Sequence, residues 1–125
     1  MLKRKDMAEP FWVRRKRGKG AKDMAITVIT GENFQAEVLE SKLPVLLDFW
    51  APWCGPCRLI MPAVEEIAAQ EAGVKVCKVN VDEEPDIARR FGIMSIPTLI
   101  VLKNGKVTNQ ASGARPKEKI LELLK

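Results

Sequence analysis

The sequence predicts an α/β domain, with a central mixed sheet of five strands flanked by four helices. Three observations predict it. From Ile26 onward, short β-branched or apolar runs alternate with stretches of helical periodicity, the pattern of strands joined by crossover helices. The run Val45-Leu46-Leu47-Asp48-Phe49-Trp50 is apolar at nearly every position, as expected of a strand covered on both faces. Toward the C-terminus Asn104-Gly105 separates two extended stretches, which signals a hairpin and therefore an antiparallel pair.

The elements follow in order. Ile26 to Thr30 is short and β-branched, hence a first strand. Asn33 is the expected N-cap of a helix from Phe34 to about Glu40. Val45 to Trp50 is the second strand. A long helix from Cys54 to about Gln70 places Ile60, Val64, Ile67 and Ala68 on one side and Glu65, Glu66 and Gln70 on the other. Pro62 lies inside that helix and should kink it. Val74 to Val81 is the third strand, and Pro85 to Phe91 a short helix ended by Gly92. Thr98 to Leu102 and Lys106 to Ala111 form the hairpin, and Ile120, Leu121 and Leu124 stripe a last helix. The first three strands, joined by helices, must run parallel, and the hairpin adds the antiparallel part.

Composition excludes several chemistries. The 125 residues are enough for one substantial core. There is no histidine, which removes Ser-His-Asp and Cys-His nucleophiles and mixed Cys/His zinc sites. The three cysteines are too few for a disulfide scaffold and point to a reducing, intracellular setting. No apolar stretch reaches the roughly 18–20 residues of a membrane span. The net charge of +5 is uneven. Residues 1–23 carry nine Lys/Arg against Asp6, Glu9 and Asp23, a balance of +6, and residues 24–125 carry twelve against thirteen, a balance of −1.

Residues 1–23 therefore read as a basic, disordered extension before a domain at 24–125. Arg14-Arg15-Lys16-Arg17-Gly18-Lys19-Gly20 is a like-charge run, and Phe11-Trp12-Val13 beside it adds aromatic surface. Two readings are open: an arm that binds nucleic acid or an anionic surface through phosphate neutralisation, or upstream sequence brought in by the choice of start codon. The basic residues are not followed by the apolar region of a secretory signal. The acidic residues and the lack of serine count against a mitochondrial presequence.

The chemistry concentrates in Trp53-Cys54-Gly55-Pro56-Cys57. Cysteines at i and i+3 of a first helical turn share a face, about 5–6 Å apart, which suits a disulfide that opens and closes with little backbone movement. A thiol at a helix N-terminus also feels the positive end of the helix dipole, which favours the thiolate. The motif thus reads as reversible thiol–disulfide chemistry. A metal reading would need a second Cys-x-x-Cys half-site, and none exists. Asp48 is a carboxylate in an apolar strand, on the face of Leu46 and Trp50 by alternation, and burial should raise its pKa toward neutrality. Lys78, on a neighbouring strand, is positioned to pair with it. Cys77, among valines, reads as a small buried hydrophobe.

The segment from Val45 to Cys57 resembles the active-site segment of the thioredoxin family, itself the best-known example of this motif. Pro62, Asp82, Gly92-Ile93-x-x-Ile96-Pro97-Thr98, Asn104-Gly105 and Gly113 also fall where that family has them. The resemblance covers about residues 24–125. Phe91 stands where the family often has tyrosine. The resemblance implies the thioredoxin fold and reduction of protein disulfides through a reversible Cys54–Cys57 bond. Cys54 would be the nucleophile and Cys57 the resolving thiol, with Asp48 deprotonating Cys57. Gly55, Pro56 and Lys78 would tune the redox potential. Trp53, Ala51, Ile96, Pro97 and Gly113 would form an apolar patch for substrates, with a cis bond at Ile96-Pro97 beside the cysteines. The expected partners are disulfide-containing proteins and a thioredoxin reductase, with no flavin, nicotinamide or metal bound. A cytoplasmic monomer without membrane contact is expected, its only route to nucleic acid being the basic arm. Two rival readings stand beside it: an oxidase or isomerase of similar fold, against which Gly-Pro between the cysteines and the few cysteines argue, and a structural subunit or processivity factor, or a chain tethered to nucleic acid by its basic arm.

Overall fold

The computed structural model describes residues 25–125, and the basic extension read at 1–23 lies outside them. Nine elements follow one another: β1 (Ile26–Val28), α1 (Gln35–Leu39), β2 (Val45–Trp50), α2 (Gly55–Gln70), β3 (Lys75–Asn80), α3 (Pro85–Arg90), β4 (Thr98–Lys103), β5 (Lys106–Ser112) and α4 (Lys117–Leu123). The expected five strands and four helices are present among the described residues. The sheet order is β1-β3-β2-β4-β5. β3 pairs parallel with both β1 and β2, whereas β4 runs antiparallel to β2 and β5. The parallel half and the hairpin are as the sequence indicates.

Alternation along β2 sorts its side chains between two cores. Leu47 and Phe49 join Phe34, Val38, Ile87 and Ile100 on the face covered by α1 and α3. Leu46 joins Ile60, Val64, Ile67, Leu99 and Ile120 on the face covered by α2 and α4. Asp48 and Trp50 are even-numbered like Leu46, so the sheet pleat turns them toward α2. The hairpin turn has Asn104 at φ 54° and Gly105 at φ 78°, the left-handed pair that matches strand twist. Gly92, at φ 65°, ends α3 through bonds from Gly92 N to Arg89 O and Ile93 N to Ala88 O.

Two local expectations are corrected. Asn33 does not cap α1 with its side chain: Phe34 holds the N-cap position with no side-chain bond. Asn33 Oδ1 instead accepts from Thr30 N and its Nδ2 donates to Val28 O, so the side chain stabilises the loop before the helix. Nor is α1 an ordinary α-helix. It is π-helical over Gln35–Leu39, with Glu40 N bonded to Gln35 O five residues back.

Candidate functional site

The site is built at the C-terminal end of β2, where the chain turns into α2. Cys54 N bonds to Ala51 O across that turn, and Arg58 Nη1 ties to Pro52 O. Cys54 is the N-cap of the 16-residue α2, and its Sγ accepts from Cys57 N at 3.2 Å. Pro56 sits in the first turn, where its missing N–H is no loss. Cys54 and Cys57 are joined as a disulfide with Cα atoms 5.3 Å apart, inside the usual disulfide window. The macrodipole of α2 points its positive end at Cys54, which stabilises a thiolate there once the bond is reduced.

The two cysteines differ little in exposure. Cys54 retains 4% of its surface and Cys57 1%. Cys54 is thus a nearly buried side chain and does not project from the surface. Sequence could not show this, because the covering groups come from distant segments: Ile96 and Val81 pack against the cysteines.

The loop before β4 meets Cys54 directly. The Ile96-Pro97 bond is cis, and Cys54 Sγ lies 3.8 Å from Ile96 O. Gly113, at φ 94°, donates its N–H to Pro97 O at 2.8 Å, so it reaches the same place from the end of β5. Trp53 is 67% exposed and its Nε1 donates to Asp82 Oδ2 at 2.8 Å. Trp53, Ile96, Pro97 and Gly113 therefore converge around Cys54. Ala51 does not share their surface. It is fully buried beneath the cysteines, so it supports the patch from below and offers a partner nothing to touch. Pro97 is likewise buried.

Asp48 is fully buried, and neither carboxylate oxygen has a protein hydrogen-bond partner. Burial pushes its carboxyl up to about 7, against a smaller lowering pull from Lys78. Lys78 is its register partner on β3, but the ammonium is not ion-paired to it. Lys78 Nζ stands over the Trp50 ring, 5.2 Å from its centre. The expected pairing is therefore a longer-range field effect. Cys77 is buried, and burial, with Lys75 lowering and Glu37 raising, pushes its thiol up to about 12, which leaves it inert.

Two features went unread in the sequence. Asp82, in sequence no more than a position that matches the family, anchors Trp53. Met94, 95% exposed, lines a groove with Trp53, Val81, Ile93 and Ile96. An apolar residue in a Gly-bounded loop was the only available signal.

Among the described residues no group of three or more His, Cys, Asp or Glu is placed to hold a metal, and no helix is long and apolar enough to cross a membrane. A disulfide-bonded cysteine pair at a helix N-terminus lies against a loop with a cis-proline, and the strand that leads into it carries a buried carboxyl. The thioredoxin family model matches residues 25–125. The chain belongs to the thioredoxin family. Thioredoxin 1 of Nostoc sp. is 50% identical over 101 residues, which cover 80% of this chain and 94% of that protein. Thioredoxin 1 of Synechococcus elongatus is 53% identical over 97 residues, 77% of this chain and 91% of its own. A chloroplastic thioredoxin of Oryza sativa subsp. japonica is 45% identical over 100 residues, 79% of this chain and 58% of its own. As in the family, the redox chemistry resides in a cysteine pair, here Cys54 and Cys57.

Proposed function

We propose that this chain is a dithiol–disulfide oxidoreductase that reduces disulfides in protein substrates and is returned to the dithiol form by a separate reductase. The observation that carries this is the Cys54–Cys57 disulfide at the N-terminus of α2, with Cys54 Sγ against the Ile96 carbonyl. The Cys54 thiolate attacks one sulfur of a substrate disulfide. A mixed disulfide forms, the substrate's S–S bond breaks, and the departing thiolate takes up a proton. Asp48 then accepts the Cys57 proton. A carboxyl near 7 is matched to that task at neutral pH. The Cys57 thiolate attacks Cys54 Sγ, the Cys54–Cys57 bond forms, and the second substrate thiol leaves. Two electrons pass to the substrate, and no flavin, nicotinamide or metal is needed.

The other site residues take supporting parts. Trp53, Ile96 and Gly113 receive an extended substrate segment around Cys54, with the buried Pro97 setting the cis turn that presents Ile96, and Ala51 packed beneath. Gly55, without a side chain above the sulfur, lets a partner's backbone approach, and Pro56 stiffens the loop. Gly55, Pro56 and Lys78 set the potential of the pair. The chain acts as a cytoplasmic monomer in electron transport to protein thiols and so in cell redox homeostasis. Relatives named thioredoxin support the redox part of that reading. The basic arm of residues 1–23 is not needed for the chemistry.

Trapping tests the reading. Cys57→Ser should accumulate one mixed disulfide per chain with a disulfide-bonded protein substrate, and Cys54→Ser should accumulate none and reduce nothing. Turnover by Cys54→Ser would sink the assignment.

A further inference from the structure

The ladder between β4 and β5 ends where it meets the site. Thr98 is the register partner of Ser112, the last residue of β5, so one step further Gly113 stands opposite Pro97. An antiparallel pair at such a step exchanges two bonds, one in each direction. Gly113 gives its N–H to Pro97 O at 2.8 Å. Pro97 has no N–H to return, so the Gly113 carbonyl is left without its strand partner. Arg115 takes that place: its Nε donates to Gly113 O at 3.3 Å and its Nη2 donates to Ser112 O at 2.7 Å. One guanidinium thus grips two successive carbonyls just past the end of the strand, with a planar fork that a lysine cannot copy. A second link ties the same two turns. Thr98 Oγ1 donates its single proton to Ser95 O at 2.7 Å, so Ser112 Oγ, 3.0 Å away, is the donor between the two hydroxyls. Ser95 and Pro97 are both tied to the end of β5 in this way. Ile96 lies between them, with its carbonyl 3.8 Å from Cys54 Sγ.

We propose that Arg115 is a positioning residue of the substrate site. Its guanidinium supplies the donor that Pro97 lacks, and so holds the Ser112-Gly113 turn against the Ile96-Pro97 turn beside Cys54. The proposal rests on the reading of Ile96 and Gly113 as docking groups for a protein substrate. Arg115 takes no part in the thiol exchange and acts only through the turn. Without its fork the turn samples other conformations, and a smaller share of chains has both docking groups in place. Apparent affinity for a protein disulfide falls by that share, while the chemistry of a disulfide already bound keeps its rate. A small disulfide, which needs no extended docking surface, is reduced as before.

The test uses the full chain with Arg115→Ala, Arg115→Lys and Lys119→Ala. Insulin serves as the disulfide-bonded protein and hydroxyethyl disulfide as the small one, and amide hydrogen exchange at Gly113 is read by NMR. Arg115→Ala should speed Gly113 exchange about ten-fold or more. It should raise KM for insulin about three- to ten-fold, with kcat and the rate on hydroxyethyl disulfide held within about two-fold. Arg115→Lys keeps the charge but not the fork, so its KM should also rise. Lys119→Ala removes an exposed cation from α4 and should leave every readout at the native value. A native KM in Arg115→Ala or in Arg115→Lys would overturn the proposal, as would an equal rise in Lys119→Ala. So would an equal loss on both disulfides, which marks damage to the chemistry and not to docking. Failure of the native chain to reduce insulin would refute the oxidoreductase reading instead, and Gly113 exchange would still decide whether Arg115 holds the turn.

Discussion

Replacing Asp48 by asparagine should stabilise the oxidised protein at alkaline pH and leave it nearly unchanged in acid. Asp48 is fully buried without a hydrogen-bond partner, and its carboxyl rises from 3.8 to about 7, chiefly through burial and against the lowering effect of Lys78. Each pKa unit is about 1.4 kcal/mol, so the ionised carboxylate costs the folded state about 4 kcal/mol relative to the unfolded chain. The native state holds this proton more tightly, so stability falls as pH rises between the two values. The penalty is absent below about 3.8, grows through the interval, and is complete above about 7. Asparagine keeps the shape and a neutral polar group, so its burial cost resembles that of the protonated acid. Urea titrations at intervals from pH 4 to 8.5 should give a near-zero difference at the acid end and a gain of about 3–4 kcal/mol at the alkaline end. The same variant should resolve mixed disulfides more slowly, so stability and activity would move in opposite directions. A difference that does not change with pH would refute the reasoning, since Asp48 would then not titrate in this range.

Other perturbations test other parts. Gly105→Ala places a Cβ 2.8 Å from Leu39 O at φ +78°, and because backbone cannot yield as a side chain would, it should cost about 2 kcal/mol or more by urea midpoint. Asp82→Ala frees the Trp53 indole. It should cost under about 1 kcal/mol in stability yet change Trp53 fluorescence and reduce kcat/KM for protein disulfides a few-fold. Cys77, buried with its thiol near 12, should resist alkylation in the native reduced protein while Cys54 reacts, and Cys77→Ala should retain full reductase turnover.

Much of this was legible from local signals. Asn104-Gly105 dictates a tight hairpin through its own φ preferences, and alternation along β2 already placed Asp48 with Leu46 and Trp50. The Cys-Gly-Pro-Cys spacing supplied the disulfide. What escaped is a choice among competing partners, most of them far apart in the chain. The insertion of β3 between β1 and β2 is a tertiary choice. Asn33 had two competing sets of partners, and its bonds to Thr30 and Val28 prevailed. Lys78 could reach toward Asp48 or over Trp50, and the ring prevailed. Ala51 looked like part of a surface patch because its burial is produced by Ile96 and Val81, which approach from elsewhere.

The central claim is that Cys54 and Cys57 form a reductant of protein disulfides. An equilibrium titration of that pair against a thiol–disulfide buffer tests it most directly. A reductant of protein disulfides should titrate at about −270 mV, the value characteristic of thioredoxins. A potential at or above about −180 mV, in the range of isomerases and oxidants, would contradict it.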